Sequence, residues 1–164
     1  MKNLYLIGGT MGVGKTTVSQ YLKKLLPRAV FLDGDWCWDA DPFQVTGETK
    51  EMVMDNICHV LNNFLRCPAY ENVIFCWVMD RQEILDTLLG RLDTSNCTVK
   101  CISLTADRET LTRRIGGDVE RGLRQPDVLE RSLDRLPLYD GLSSVKVDTT
   151  GRTVGEITRE IMEL

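Results

Sequence analysis

GGTMGVGKTT, residues 8–17, sets four glycines around Met11 and Val13 and then adds Lys15, Thr16 and Thr17. Glycine loses the most backbone freedom on ordering, so such a stretch makes a poor helix or strand interior. It suits a place where something approaches the backbone closely. Gly9, four residues, then Gly14-Lys15-Thr16 fits G-x-x-x-x-G-K-S/T. The apolar run Leu4–Ile7 before it reads as a buried strand. Val18, Leu22, Leu25 and Leu26 after it share one side of a helix that stops at Pro27. Strand, glycine loop and helix in that order can curl backbone amides around phosphate oxygens, with a helix dipole behind them. On this reading Gly9, Thr10, Met11, Gly12, Val13, Gly14, Lys15, Thr16 and Thr17 hold ATP. Lys15 reaches the outer phosphates, and the Thr16 hydroxyl ligates Mg²⁺. The plainer alternative is a glycine-rich turn with no ligand.

Working outward, short β-rich runs alternate with helical patterns. Strands are expected at 29–32, 73–79, 98–104 and 144–147. Helices are expected at 48–65, after Asp80, through Leu111 and Ile115, over 127–139, and after Thr153. Asp80 with Glu83, and Thr153 with Glu156, have the spacing of capping boxes. Five strands each followed by helix predict an α/β fold, a parallel sheet covered on both faces. No repeat or linker divides residues 1–164, so one domain is expected. Gly116 and Gly117 open a polar stretch to Pro126 that reads as its mobile segment.

The chain has 164 residues and a formal net charge of −4, which argues against a broad nucleic-acid or anionic-membrane surface. No apolar run approaches the ~20 residues of a membrane span. MKNLYLIGG lacks the pattern of a secretory signal. The six cysteines contain no C-x-x-C pair and read as reduced thiols of a cytoplasmic protein. Cys97 and Cys101 flank and enter an apolar strand, and the single histidine, His59, lies on an apolar-periodic helix, so burial or solvent accounts for them better than zinc.

A phosphate loop alone does not separate a kinase from an ATPase or GTPase. No N-K-x-D or D-x-x-G segment marks a GTPase. The third strand ends in VMD, similar to the metal-site Asp of ATPases, but Asp80 also reads as a helix N-cap. FLDGDWCWDADPF, residues 31–43, follows the second strand. Its Asp33 and Asp35 stand at the strand's carboxyl end, on the same rim as the glycine loop. There Asp33 can bind Mg²⁺ or its waters, and Asp35 can orient an attacking hydroxyl and take its proton. Trp36 and Trp38 either stack on a flat substrate or cover the edge of the core. Between Ser103 and Val145 the chain uses seven arginines and no lysine, interspersed with eight Asp or Glu residues. Arginine suits bidentate phosphate contacts, while Asp127, Arg131 and Arg135 also fit a solvated ion-pair face.

With these parts in place the chain resembles the small P-loop kinases: shikimate kinase, gluconate kinase, chloramphenicol phosphotransferase and the adenylate kinase group. GTMGVGKT carries the likeness most specifically. LDGD is similar to the Asp-x-Asp motif of shikimate kinase, RLPLY (135–139) to the R-L-x-x-Y after the lid of adenylate kinases, and VDTTGRTVGEI to the final strand and turn that pass the adenine. The resemblance implies a three-layer P-loop fold with strand order 2-3-1-4-5 and a short lid at 116–126. It places Arg121 and Arg124 on the phosphates and Arg114, Gly151 and Arg152 near the adenine, with Arg135 also on the nucleotide. It implies an ATP- and Mg²⁺-dependent transfer to a small-molecule or nucleotide acceptor. No arginine suits a nucleoside monophosphate between strands two and three, and the lid lacks both an Asp-Asp pair and a Cys₄ site. The competing readings are a P-loop ATPase or nucleotide-binding switch with no acceptor, and a non-catalytic nucleotide-binding module.

Overall fold

A computed structural model describes residues 1–164. The chain runs β1 (Lys2–Gly9), α1 (Lys15–Leu25), β2 (Ala29–Asp33), a 3₁₀ turn (Gly34–Cys37), α2 (Gly47–Arg66), β3 (Asn72–Cys76), α3 (Gln82–Arg91), β4 (Cys97–Thr105), α4 (Arg108–Glu120), α5 (Val128–Arg135), a second 3₁₀ turn (Leu136–Gly141), β5 (Val145–Asp148) and α6 (Val154–Glu163). All the strand pairs are parallel, in the order β2-β3-β1-β4-β5. This is the order implied by the resemblance.

The apolar strands fill two cores, one on each face of the sheet. Leu4, Leu6, Val73 and Phe75 point toward α2 and α3, where Ile57, Leu61 and Leu88 are fully buried. Tyr5, Ile7, Ile74 and Ile102 point the other way, onto Leu22 of α1, Leu111 of α4 and Ile161 of α6. Period-two alternation thus buries both faces, as a parallel sheet requires. No helix is long and apolar enough to cross a membrane.

Three expectations about the chain change. β3 stops at Cys76 rather than running to Met79. Cys76 is paired with Ile7 of β1 and Asp33 of β2, and β2 turns away at Gly34, so a longer β3 has no partner on the β2 side. Asp80 is not a helix cap: α3 begins at Gln82, its N-cap is Arg81, and no side chain caps it. Gly116 and Gly117 do not open a loop. α4 runs through them to Glu120, and the positive φ falls later, at Gly122. Ile115 is fully buried and packs where a Cβ on Gly12 would lie, which fixes this helix against the glycine loop. Two glycines in a helix cost about 1 kcal/mol each relative to alanine, which such anchoring can offset.

Candidate active site

The glycine loop joins β1 to α1 at the carboxyl edge of the sheet. Gly14 enters α1 at φ +104 with no capping side chain, leaving the first amides of the helix open to a ligand. Gly12 has φ +82, and a Cβ there would sit 2.5 Å from Ile115 Cγ1. α5 braces the loop from behind. The buried Ser132 hydroxyl donates to the Met11 carbonyl at 2.6 Å, and the Thr10 hydroxyl donates to the Ser132 carbonyl at 2.9 Å. The Thr10 side chain therefore serves the scaffold. Its carbonyl accepts from Lys15 Nζ at 3.0 Å, holding the ammonium over the loop. Burial pulls the Lys15 ammonium down to about 8, against the neighbouring carboxylates of Asp35 and Asp33.

A cleft of about 370 Å³ opens in front of the loop. Gly12 to Thr17 form its floor, with Arg114, Arg121 and Arg124 on one side and Arg152, Val154 and Ile157 on another. Of the residues expected on the nucleotide, Gly9, Thr10, Met11, Arg135 and Gly151 do not line this cleft. Arg114 is held by three hydrogen bonds, to the Val13 carbonyl and to the hydroxyl and carbonyl of Thr149. It thereby ties the loop to the turn after β5. Arg152 donates to the Asp148 carbonyl and pairs with Glu160. Arg121 and Arg124, expected on the phosphates, converge here on a carboxylate of this chain: Asp118 accepts from Arg121 at 2.7 Å and from Arg124 at 3.0 Å. Arg124 and then Arg121 hold the Asp118 carboxyl below the usual carboxylate range.

Asp33, 7% exposed, accepts from the Thr16 hydroxyl at 2.9 Å. These two oxygens, with water and phosphate oxygens, are a hard donor set that fits Mg²⁺, which takes few protein ligands and keeps several waters. No cluster of three His, Cys, Asp or Glu side chains forms a separate cage. Cys76 lies beside them, its Sγ 3.9 Å from Thr16 Oγ1, with burial pushing the thiol up to about 12. It stays protonated and is no nucleophile at neutral pH.

Asp35 is exposed at the rim, and one of its oxygens accepts from the indole N–H of Trp77 at 3.2 Å. Trp77, expected within the third strand, packs on Gly34 so closely that a Cβ there would lie 2.5 Å from its ring. Trp36 and Trp38 separate. Trp36 is 61% exposed and meets Phe31 edge-on, 5.3 Å between centroids, on the α1 side of the sheet. Trp38 packs against the α2–α3 core and against Phe43. The aromatic side chain bonded to Asp35 is therefore Trp77. Asp80 pairs instead with Arg135, Oδ2 to Nε 3.3 Å.

The AAA domain family (AAA_18) matches residues 6–131. A shikimate kinase of Francisella tularensis subsp. holarctica is 28% identical over 177 residues, covering 98% of this chain and 92% of that protein. Among solved structures, a gluconokinase from Sinorhizobium meliloti superposes with a TM-score of 0.70 at 18% identity, covering 98% of this chain and 90% of that one. The tunicamycin resistance protein of Deinococcus radiodurans gives 0.76 at 20% identity, with 99% and 95% covered. At such identities the solved structures establish a shared fold. The chain belongs to the AAA domain family and shares its fold with solved structures that include a gluconokinase.

Proposed function

We propose that the protein transfers the γ-phosphoryl group of ATP to a hydroxyl of a small-molecule or nucleotide acceptor. One observation carries the reading. Lys15, the Thr16–Asp33 pair and Asp35 meet on one rim of the sheet, with Arg121 and Arg124 on the cleft beside them. Phosphoryl transfer demands positioning and charge stabilisation more than covalent chemistry from the protein. The loop amides and Lys15 cradle the phosphates. Thr16 and Asp33 would hold Mg²⁺, which when bound neutralises phosphate charge. Asp35 orients the acceptor hydroxyl and takes its proton late, with the Trp77 indole fixing one carboxylate oxygen and leaving the other for that proton. Arg121 and Arg124 leave Asp118 for the phosphates as the lid engages. Arg114, Arg152, Val154 and Ile157 form the wall for the base. A cytoplasmic setting suits the six free cysteines.

The names of the relatives are compatible with an acceptor that is a small hydroxylated molecule. The test is ADP production with ATP·Mg²⁺, with and without a panel of hydroxyl compounds and nucleoside monophosphates. A phosphotransferase is stimulated by one class of the panel. An ATPase runs equally fast without any of them, which would overturn the proposal.

A further inference from the structure

We infer, resting on the phosphotransferase reading, that Asp118 is an internal rival of the γ-phosphate: it occupies Arg121 and Arg124 while no acceptor is bound, and so restrains hydrolysis of ATP by water. Asp118 is the one carboxylate among the residues lining the nucleotide cleft, against four arginines and Lys15. A carboxylate there repels the ligand that the arginines attract. Its contacts give the reason for its place. Each oxygen holds one arginine: Oδ1 accepts from Arg121 Nη2 at 2.7 Å, and Oδ2 accepts from Arg124 Nε at 3.0 Å. Arg121 is held a second time, its Nε donating to the Gly117 carbonyl at 3.1 Å. The backbone closes the same turn. Gly122 takes φ +71, and the Leu123 N–H donates to the Asp118 carbonyl at 2.8 Å, so the chain doubles back and brings Arg124 beside Asp118.

Two guanidinium charges thus share one carboxylate, which leaves one net positive charge for a ligand in place of two. Arg124 also stands near the place of the outer phosphates: burial is the main cause that lowers the Lys15 ammonium, and the charge of Arg124 adds to it. Charge developing on the transferred group needs the same stabilisation whether water or a hydroxyl attacks. In the reaction restrained, a water oxygen bonds to the γ-phosphorus, the bridging P–O bond breaks with its electron pair going to ADP, and the water's proton passes to solvent. While Asp118 holds the arginines, ATP must displace a carboxylate to gain them. Closure over a seated acceptor completes that displacement, as induced fit confines reactivity to the correct substrate. Both ion pairs are partly exposed, so the exchange is an easy one.

The test uses the full-length protein and its variants Asp118→Asn and Asp118→Ser. Calorimetry measures binding of ADP·Mg²⁺ and of a non-hydrolysable ATP analogue with Mg²⁺. ADP release from ATP·Mg²⁺ with no acceptor present measures hydrolysis. In both variants the analogue should bind about 2–10-fold more tightly, the scale of exposed ion pairs, and ADP, which lacks the γ-phosphate, should tighten by less than about twofold. Acceptor-free hydrolysis should rise by about threefold or more, on the same scale. Asp118→Glu, which restores the charge, should return each quantity toward wild type. Weaker binding of the analogue, equal tightening of ADP, or hydrolysis that does not rise overturns the inference while leaving a kinase. Failure of both the Asn and the Ser variant to fold also overturns it, making Asp118 a structural residue. Wild-type ADP release that no member of the hydroxyl panel stimulates overturns the phosphotransferase reading and the inference with it.

Discussion

Replacing Lys15 by Met should make the ligand-free protein more stable and nearly useless as an ATP binder. Burial lowers the ammonium from the ordinary 10.5 to about 8. At neutral pH that corresponds to about 3 kcal/mol spent holding the charge in place. The side chain faces an open cleft, and its charge-assisted bond to the Thr10 carbonyl is lost in the variant, which returns about 1–2 kcal/mol. The net gain is about 1–2 kcal/mol, or roughly 2–6 °C in Tm for a chain of this size. Methionine keeps the length and packing of the stem. The sign with pH is fixed by linkage. The unfolded chain binds more protons than the folded one between about 8 and 10.5, so the cost is full below 8 and fades as pH rises to 10.5. The stability difference between variant and wild type should therefore shrink and change sign in alkaline buffer, where only the bond to the Thr10 carbonyl still separates them. ATP affinity should fall about 10–150-fold, the value of a charge-assisted phosphate contact. Melting by circular dichroism across pH, with calorimetric ATP titration, measures both. A Lys15→Met protein that melts lower than wild type at pH 7, or that binds ATP equally well, refutes the reasoning.

Four further perturbations address other parts of the site. Asp35→Asn should lower the transfer rate by roughly 10²–10⁴-fold with ATP affinity little changed; transfer at the wild-type rate would remove Asp35 from the mechanism. Trp77→Phe keeps the ring and deletes the donor to Asp35, and should lower kcat about tenfold without a matching rise in ATP KM. Asp118→Asn removes the charge that Arg121 and Arg124 share, so ATP should bind about 2–10-fold more tightly, the scale of exposed ion pairs. Weaker binding by calorimetry would make Asp118 a support for the arginines rather than a rival of the phosphates. Gly12→Ala must push Cβ into Ile115 from a positive φ, and should cost about 1–3 kcal/mol in denaturant melts; an unchanged midpoint would show that α4 yields freely.

The glycine loop was legible because phosphate geometry dictates its spacing, and that spacing is written in consecutive residues. The alternation of strand and helix was legible from periodicity. The strand order came from resemblance alone, since nothing in an apolar run says which neighbour it pairs with. Asp80 was misread because a capping box is a local pattern, whereas the start of α3 and the pull of Arg135 from 55 residues away are not local. Trp77 was hidden for the same reason. A residue in an apolar run reads as strand until the end of β2 removes its partner and Gly34 opens a seat for its ring. Asp118 and Ser132 carried no signal at all: one acid among several in an arginine-rich stretch, and one serine in a short helix, acquire their roles only when α4 and α5 fold onto the loop.

The central claim is that the terminal phosphoryl group of ATP ends on an acceptor hydroxyl and not on water. Incubating the protein with Mg²⁺, ATP labelled in its γ-phosphate and the hydroxyl panel, then separating the products, tests it directly. The account predicts label in a phosphate ester of one acceptor, dependent on Asp35, with little free phosphate. Label recovered as inorganic phosphate alone, at a rate no acceptor changes, would contradict it.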